Sequence, residues 1–136
     1  MAVKPTPVPD DVTRFYWEGA HAHELRVARC ANGHLSHPPA PSCPHCGSRA
    51  LEPHAVSGRG TVYSFTVVRQ AFDEAFLGEV PYLIALVELP EQAGLRVLTN
   101  LLEVEPDDVE VGMPVELTFE ARGDQALPQF RPVAAP

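Results

Sequence analysis

Hydrophobic and polar residues alternate along most of the chain after residue 58, which is typical of strands that bury one face. The alternating stretches are rich in β-branched and aromatic residues and predict four strands and a short fifth. They are Gly58–Arg69, Tyr82–Leu89, Leu95–Leu101, Val115–Glu120 and Gln129–Pro132. Because no long helix separates them, they predict a closed or partly closed barrel, for which a five-stranded OB-fold is the best fit.

The N-terminal residues follow a different pattern. Residues 1–9 are rich in proline and are expected to be extended or disordered. Asp10 can cap a short helix that carries the adjacent aromatic residues Phe15, Tyr16 and Trp17. Three adjacent side chains cannot share one helix face, so these aromatics either cover the chain's own ribbon and barrel or meet a partner.

All three cysteines lie within 17 residues, in the segment between the helix and the barrel. Cys43 and Cys46 form a complete knuckle, because two thiolates at this spacing and a following glycine let the backbone turn around a tetrahedral metal ion. Cys30 begins a second knuckle that lacks its other cysteine. A lobe this small needs a staple, so the pattern predicts a zinc ribbon that binds Zn²⁺, with three free thiols as the alternative.

A histidine is the expected fourth ligand of this site. His34 follows Cys30 by four residues, a spacing that a knuckle can close through an imidazole. His37 and His45 are rivals, but His45 lies between two ligands and should point away, and His37 precedes a proline that favours an extended backbone. We therefore expect zinc to be bound by Cys30, His34, Cys43 and Cys46.

The pattern divides the chain into residues 1–23 as an extension with a short helix, 24–54 as the zinc ribbon and 55–136 as the barrel. The connection between the first two barrel strands is long for a β connection and contains Phe72, Phe76 and Leu77. It is either a lid over the barrel core or a contact loop for a partner or an acyl chain.

Composition narrows the function. The formal charge is −8, the pI is about 5.1, and the basic residues form no stripe, which argues against nucleic acid as a partner. No apolar run is long enough to span a membrane, and the N-terminus lacks the apolar region of a secretory signal. Three clustered cysteines do not read as a disulfide framework, so a reducing cytoplasm is expected. No residue set reads as a catalytic constellation.

Taken together, these segments resemble the Zn-ribbon OB-fold family once filed as a domain of unknown function, whose members are accessory proteins of acyl-CoA metabolism. The matching segments are Phe15–Gly19, Cys43–Ser48, Ser57–Thr66, Val80–Leu89 and Val111–Glu116. The resemblance covers nearly the whole chain. It departs at the first knuckle, where the family's second cysteine is missing after Cys30.

The resemblance implies a mainly β protein with a short N-terminal helix, a rubredoxin-like zinc ribbon and a C-terminal OB barrel. It also implies a non-catalytic subunit that supports a thiolase-like or lipid-transfer-protein-like catalytic partner. Such complexes act on CoA thioesters by retro-aldol cleavage, thiolysis or acyl transfer, including steroid side-chain degradation. We expect a heterotetramer with two copies of each subunit.

The expected contacts with the partner or acyl-CoA are the apolar groups that are hardest to assign to a small core. They are Phe15, Tyr16, Trp17, Phe72, Phe76, Leu77 and Tyr82. A nucleic-acid-binding zinc-ribbon and OB module is the alternative function. An autonomous zinc hydrolase is the third, because a site with only three ligands would leave a position for water.

Overall fold

The structure is a computed structural model that describes residues 3–134. Met1 and Ala2 of the proline-rich extension, and Ala135 and Pro136 of the barrel segment, lie outside the described residues. The helices and strands are α1 Arg14–His21, β1 Arg26–Cys30, β2 Leu35–Ser36, β3 Leu51–Ala55, β4 Arg59–Val68, β5 Tyr82–Glu88, β6 Arg96–Leu101, β7 Pro114–Arg122 and β8 Gln125–Pro132. Single 3₁₀ turns occur at Glu74–Phe76 and Pro106–Asp108. Within the described residues, no helix is long and apolar enough to cross a membrane.

The last five strands form a closed barrel in the order β4-β5-β6-β8-β7, and β4 pairs with both β5 and β7. The prediction of a mainly β chain with a five-stranded OB barrel is therefore confirmed. The fifth strand was predicted too short, because β8 pairs with β7 from Gln125 to Pro132. Its buried positions Pro128, Gln129 and Phe130 are consecutive, so its sequence shows no period-two pattern.

A glycine brings two barrel strands close together at the start of β4. A Cβ atom at Gly60 would lie 2.4 Å from Val87 Cγ1 and 2.9 Å from the Glu88 carbonyl oxygen. Only a residue without a side chain fits here, which explains a glycine inside a strand. Further along β4, the register with β5 is irregular between Val62 and Ser64.

Side chains close the barrel between β6 and β8, where the parallel register contains one residue pair, Leu101 with Phe130. Gln129 Oε1 accepts hydrogen bonds from Thr99 Oγ1 at 2.9 Å and from the Asn100 amide at 2.8 Å. Gln129 Nε2 donates to Asn100 Oδ1 at 3.1 Å and to Glu120 Oε1 at 3.2 Å. This network satisfies buried polar groups where backbone pairing is sparse.

The ribbon is a three-stranded antiparallel sheet in the order β2-β1-β3. Its buried residues Leu25, Val27 and Leu35 belong to the same hydrophobic cluster as barrel residues such as Leu89 and Leu95. Ribbon and barrel therefore share one core, which the sequence did not indicate.

The N-terminal residues pack onto this body. Asp10 Oδ1 accepts hydrogen bonds from the Val12 and Thr13 amides at 3.0 and 2.8 Å, and α1 begins one residue later. The proline-rich segment that precedes it contacts the barrel, where the Pro5 carbonyl accepts a hydrogen bond from the Arg122 guanidinium at 3.4 Å. Lys4 forms an ion pair with Glu79 and lies 5.7 Å from the ring centre of Phe76. The segment thus contacts the long β4–β5 connection.

Candidate metal centre

The four residues predicted as ligands lie together. Their donor atoms are all within 4.8 Å of one another. Cys30 Sγ is 3.4 Å from His34 Nδ1 and 3.8 Å from Cys46 Sγ, and Cys43 Sγ is 4.0 Å from His34 Nδ1.

These distances suit tetrahedral zinc. With Zn–S bonds of about 2.3 Å and Zn–N bonds of about 2.0 Å, tetrahedral angles place two sulfurs about 3.8 Å apart, and a sulfur and a nitrogen about 3.5 Å apart. The Cys30–His34 separation of 3.4 Å and the Cys30–Cys46 separation of 3.8 Å agree closely with those values, and the Cys43–His34 separation of 4.0 Å is about half an ångström longer. Three thiolates and one imidazole are also a usual donor set of structural zinc sites.

Two tight turns bring the ligands together. In the first, the Gly33 amide donates to the Cys30 carbonyl at 2.9 Å and the Cys30 amide donates to the His34 carbonyl at 3.0 Å. In the second, the Gly47 amide donates to the Cys43 carbonyl at 2.8 Å. Gly33 and Gly47 have φ angles of 84° and 75°, a left-handed conformation that favours glycine.

N–H donors point at the sulfurs. The His34 amide lies 3.3 Å from Cys30 Sγ, and the His45 amide lies 3.4 Å from Cys43 Sγ. The side-chain amide of Asn32 donates to Cys46 Sγ at 3.4 Å. Such contacts favour the thiolate, the form that binds metal. Sequence reasoning missed Asn32, although an asparagine inside the first knuckle was a usable signal.

The pKa values of the site follow from these contacts. The hydrogen bond from Asn32, followed by the one from the Ser48 amide, lowers the pKa of Cys46 to about 6. Burial raises the pKa of Cys30, but the amides of His34 and Asn32 outweigh it and the net shift is downward. Burial raises the pKa of Cys43. Hydrogen bonds with Cys46 and Cys30 raise the pKa of His34.

The two rival histidines occupy other places. His45 is exposed, and its ring centre lies 5.3 Å from that of His34. His37 packs against Tyr16 with ring centres 5.3 Å apart, and its buried Nδ1 has no hydrogen-bond partner. Burial lowers the pKa of His37 to about 4. Neither belongs to the cluster around the cysteines.

A residue of the barrel also contacts the ribbon next to the metal cluster. Gln92 lies in the turn between β5 and β6, and its side-chain amide hydrogen-bonds both backbone polar groups of Leu35, the residue after His34. The sequence places this residue only in the short connection between two predicted strands. No local signal connects two residues that are 57 positions apart.

The predicted contact residues differ in exposure. Phe15, Tyr16 and Trp17 are half-buried, and Tyr16 packs against the core. Tyr16 and Trp17 line a shallow groove of about 280 Å³ that Ile84, Leu98 and Leu127 complete. The aromatic residues of the helix thus pack against the core on one side and line an open groove on the other.

In the long β4–β5 connection, Phe76 and Tyr82 are half-buried, with ring centres 5.9 Å apart. By contrast, Phe72 is 85% exposed and Leu77 is 65% exposed. The connection therefore has an inner aromatic residue, Phe76, and two outward apolar residues.

Comparison with known proteins gave matches over most of the chain. The profile described as "ChsH2, rubredoxin-like zinc ribbon domain" matches residues 17–52, and that described as "ChsH2, C-terminal OB-fold domain" matches residues 53–120. The expectation of Zn²⁺ is confirmed to this extent: the chain has a zinc-ribbon domain whose Cys/His cluster is positioned to bind metal.

Two curated relatives are named as subunits of CoA-thioester hydratases. The "Probable enoyl-CoA hydratase alpha subunit" of Thermomonospora curvata is 44% identical over 96% of this chain and 40% of its own length. The "3-oxo-4,17-pregnadiene-20-carboxyl-CoA hydratase alpha subunit" of Mycobacterium tuberculosis is 40% identical over 96% of this chain and 45% of its own length. The chain thus spans less than half of these relatives.

A solved structure described as "Ltp2-ChsH2(DUF35) aldolase" is similar over a larger share. Its matching chain is 43% identical and superposes with a TM-score of 0.82. The superposition includes 93% of this chain and 98% of the matching chain.

Proposed function

The chain belongs to the ChsH2 family of zinc-ribbon and OB-fold proteins, and from that membership we propose that it is a non-catalytic subunit of an enzyme acting on CoA thioesters. In this proposal the catalytic partner is a thiolase-like or lipid-transfer-protein-like protein, and the complex contains two copies of each subunit. The complex carries out retro-aldol cleavage, thiolysis or acyl transfer, with steroid side chains as the favoured substrate class.

The observation that carries the proposal is the likeness to the Ltp2-ChsH2(DUF35) aldolase. The matching chain there is covered almost completely, so the resemblance concerns the whole unit and not one motif. The name of the Mycobacterium tuberculosis relative contains a pregnadiene carboxyl-CoA, which supports a steroid thioester as substrate. Both curated relatives are alpha subunits, which supports a partner protein.

The chemistry of the metal cluster supports a structural role for zinc. Four protein donors fill a tetrahedral coordination sphere, whereas a hydrolytic zinc site keeps one position for water. Cys30, His34, Cys43 and Cys46 supply these donors in our assignment. Bound zinc would supply cross-linking of the ribbon, and it would hold β1 and the two turns together.

The partner surface is best assigned to the long β4–β5 connection. Phe72 and Leu77 are among the most exposed large apolar residues of the described chain, and exposed apolar side chains on one loop favour a protein contact. Phe76 is held inside by Tyr82 and by Lys4 of the N-terminal segment. These contacts of Phe76 restrain the loop before the partner binds, which lowers the entropy cost of docking.

The charges near this loop define the partner surface further. Asp73 and Glu74 separate the two outward apolar residues, and both acidic residues are exposed. Apolar pockets with a basic rim would complement this loop. The fit is to a protein surface, because an acyl chain would need no acidic flanks.

Nucleic acid is disfavoured by the outer face of the barrel. In OB-folds that bind oligonucleotides, the second and third strands supply the binding face, which are β5 and β6 here. Ile84 and Leu98 line the groove on this face. Arg96 is occupied, since it pairs with Glu88 at 3.3 Å and lies 3.7 Å from the ring centre of Tyr63.

Reconstitution tests the proposal. The purified chain should not convert a steroid CoA thioester, and activity should appear when the purified thiolase-like protein from the same host is added. Size-exclusion chromatography with light scattering should give a mass of two copies of each subunit. Turnover by the chain alone, abolished by a single substitution in it, would show that the chain is itself an enzyme.

The interface is tested with the same pair of proteins. Phe72→Ala with Leu77→Ala should weaken association by about 2 kcal/mol or more, because anchors in hot spots carry energies of this size. Val111→Ala is a matched control, since Val111 is 67% exposed on another loop. Phe76→Ala should lower the stability of the isolated chain, because its ring packs inside. Unchanged association of the Phe72/Leu77 variant would exclude this loop as the contact.

A further inference from the structure

One side chain of the turn between β5 and β6 forms hydrogen bonds with the edge of the ribbon sheet. The Leu35 amide donates to Gln92 Oε1 at 2.8 Å, and Gln92 Nε2 donates to the Leu35 carbonyl at 2.7 Å. On its other edge, β2 pairs with β1, with Leu35 opposite Arg29. The primary amide of Gln92 therefore takes the place of a neighbouring strand on the free edge of β2.

This contact lies directly beside a metal donor. His34 precedes Leu35, and the His34 carbonyl accepts the Cys30 amide at 3.0 Å. The backbone around His34 is thus held from two sides, by Cys30 of the ribbon and by Gln92 of the barrel. Leu35 itself is 7% exposed and belongs to the core shared by ribbon and barrel.

The first knuckle needs this second support more than the other knuckle does. In the second knuckle, Cys43 and Cys46 flank a tight turn that the Gly47–Cys43 backbone hydrogen bond closes, and the His45 amide lies 3.4 Å from Cys43 Sγ. In the first, the second donor is an imidazole at the end of a longer turn, which has more rotatable bonds to restrain. Restraining residues behind a ligand typically raise metal affinity by about 10–100-fold.

We propose that Gln92 is a positioning residue of the metal site: by fixing the backbone of Leu35 it places the imidazole of His34 for zinc. The barrel thereby contributes to the affinity of a site whose donors all lie in the ribbon. The inference rests on the assignment of the four ligands, but it does not depend on the identity of the catalytic partner.

The test is a zinc competition titration of the full chain against a chromophoric chelator. Gln92→Leu keeps the volume and removes both hydrogen bonds, and we expect about tenfold weaker zinc binding. The Co²⁺-substituted variant should show a changed d–d absorption envelope with thiolate charge-transfer bands of normal intensity, because only the imidazole is misplaced. Glu91→Gln is the matched control in the same turn, since Glu91 accepts the Ser57 amide at 2.6 Å and does not touch β2 in this contact.

A double-mutant cycle with His34→Ala separates positioning from general loss of stability. If Gln92 acts through His34, Gln92→Leu should change zinc affinity by less than about twofold in the His34→Ala background. An equal loss in both backgrounds, or a single variant within about twofold of the unmodified chain, would overturn the inference. If Gln92→Leu does not fold, Gln92→Asn, which shortens the side chain by one carbon, carries the same cycle.

Discussion

The buried amide of Gln129 should be essential for closing the barrel. Between β6 and β8 the backbone register contains a single residue pair, so side chains complete the junction. The amide group of Gln129 makes four hydrogen bonds, with Thr99, with the backbone and side chain of Asn100, and with Glu120. Gln129 is 4% exposed, so its own amide is shielded from water, whereas its partners Asn100 and Glu120 are half-buried.

The size of the effect follows from the groups left without partners in Gln129→Leu. The Asn100 amide, Asn100 Oδ1 and Glu120 Oε1 all lose the bond with Gln129, whereas the Thr99 hydroxyl keeps its contact with the Asn100 carbonyl at 2.9 Å. Each buried group without a partner costs about 1–3 kcal/mol, and both the added leucine surface and water that reaches half-buried Asn100 offset part of this. We expect a net loss of about 2–4 kcal/mol in the free energy of unfolding.

Urea unfolding of the zinc-loaded protein, followed by far-UV circular dichroism, measures this loss. With a urea m-value of about 2 kcal/mol/M, the midpoint should fall by about 1–2 M. Gln125→Leu is the control, because Gln125 lies on the same strand and contacts only exposed His21 among the side-chain bonds described. The control should stay within about 0.5 kcal/mol of the unmodified chain. An equally small change for Gln129→Leu would refute the role of the network in closing the barrel.

Three further predictions concern the ribbon. Protein purified without added metal should contain close to one zinc per chain by elemental analysis; His34→Ala should weaken zinc binding at least about tenfold, while His45→Ala leaves it unchanged. In metal-stripped protein, alkylation of Cys46 should have its pH midpoint near the thiol pKa of about 6. This midpoint should rise in Asn32→Leu, because the strongest hydrogen bond to the thiolate is lost. The pKa of His37 is about 4 in the folded protein, whereas its ordinary value is 6.5. As the pH is lowered, the unfolded chain therefore binds a proton before the folded protein does, and stability falls between pH 6.5 and 4. The free energy of unfolding should fall by about 3 kcal/mol over this range, and His37→Phe should not show this fall. Urea titrations at several pH values measure both proteins, and equal pH profiles for the two would contradict the burial argument.

The strands, the barrel and the cysteine cluster were readable from the sequence. Strands with one buried face impose a period of two on the residues themselves, so β4 to β7 could be located without any knowledge of their partners. The cysteine spacing of the second knuckle reflects a turn of a few residues around one metal ion, which is also a local property. Of the three histidines considered, the structure brings His34 together with the cysteines, because the length of the turn limits which imidazole can reach.

Only the tertiary structure decided what depends on distant residues. Gln92 and Gln129 look like surface residues in the sequence. The partner of Gln92 is 57 positions away, and Thr99 and Asn100 are 30 and 29 positions from Gln129. The length of β8 was missed because its buried residues are consecutive. The sequence also could not tell that Phe76 packs inward while Phe72 and Leu77 of the same loop remain outside. Burial and polar pairing are set by elements that meet after folding, whereas periodicity and ligand spacing are set along the chain.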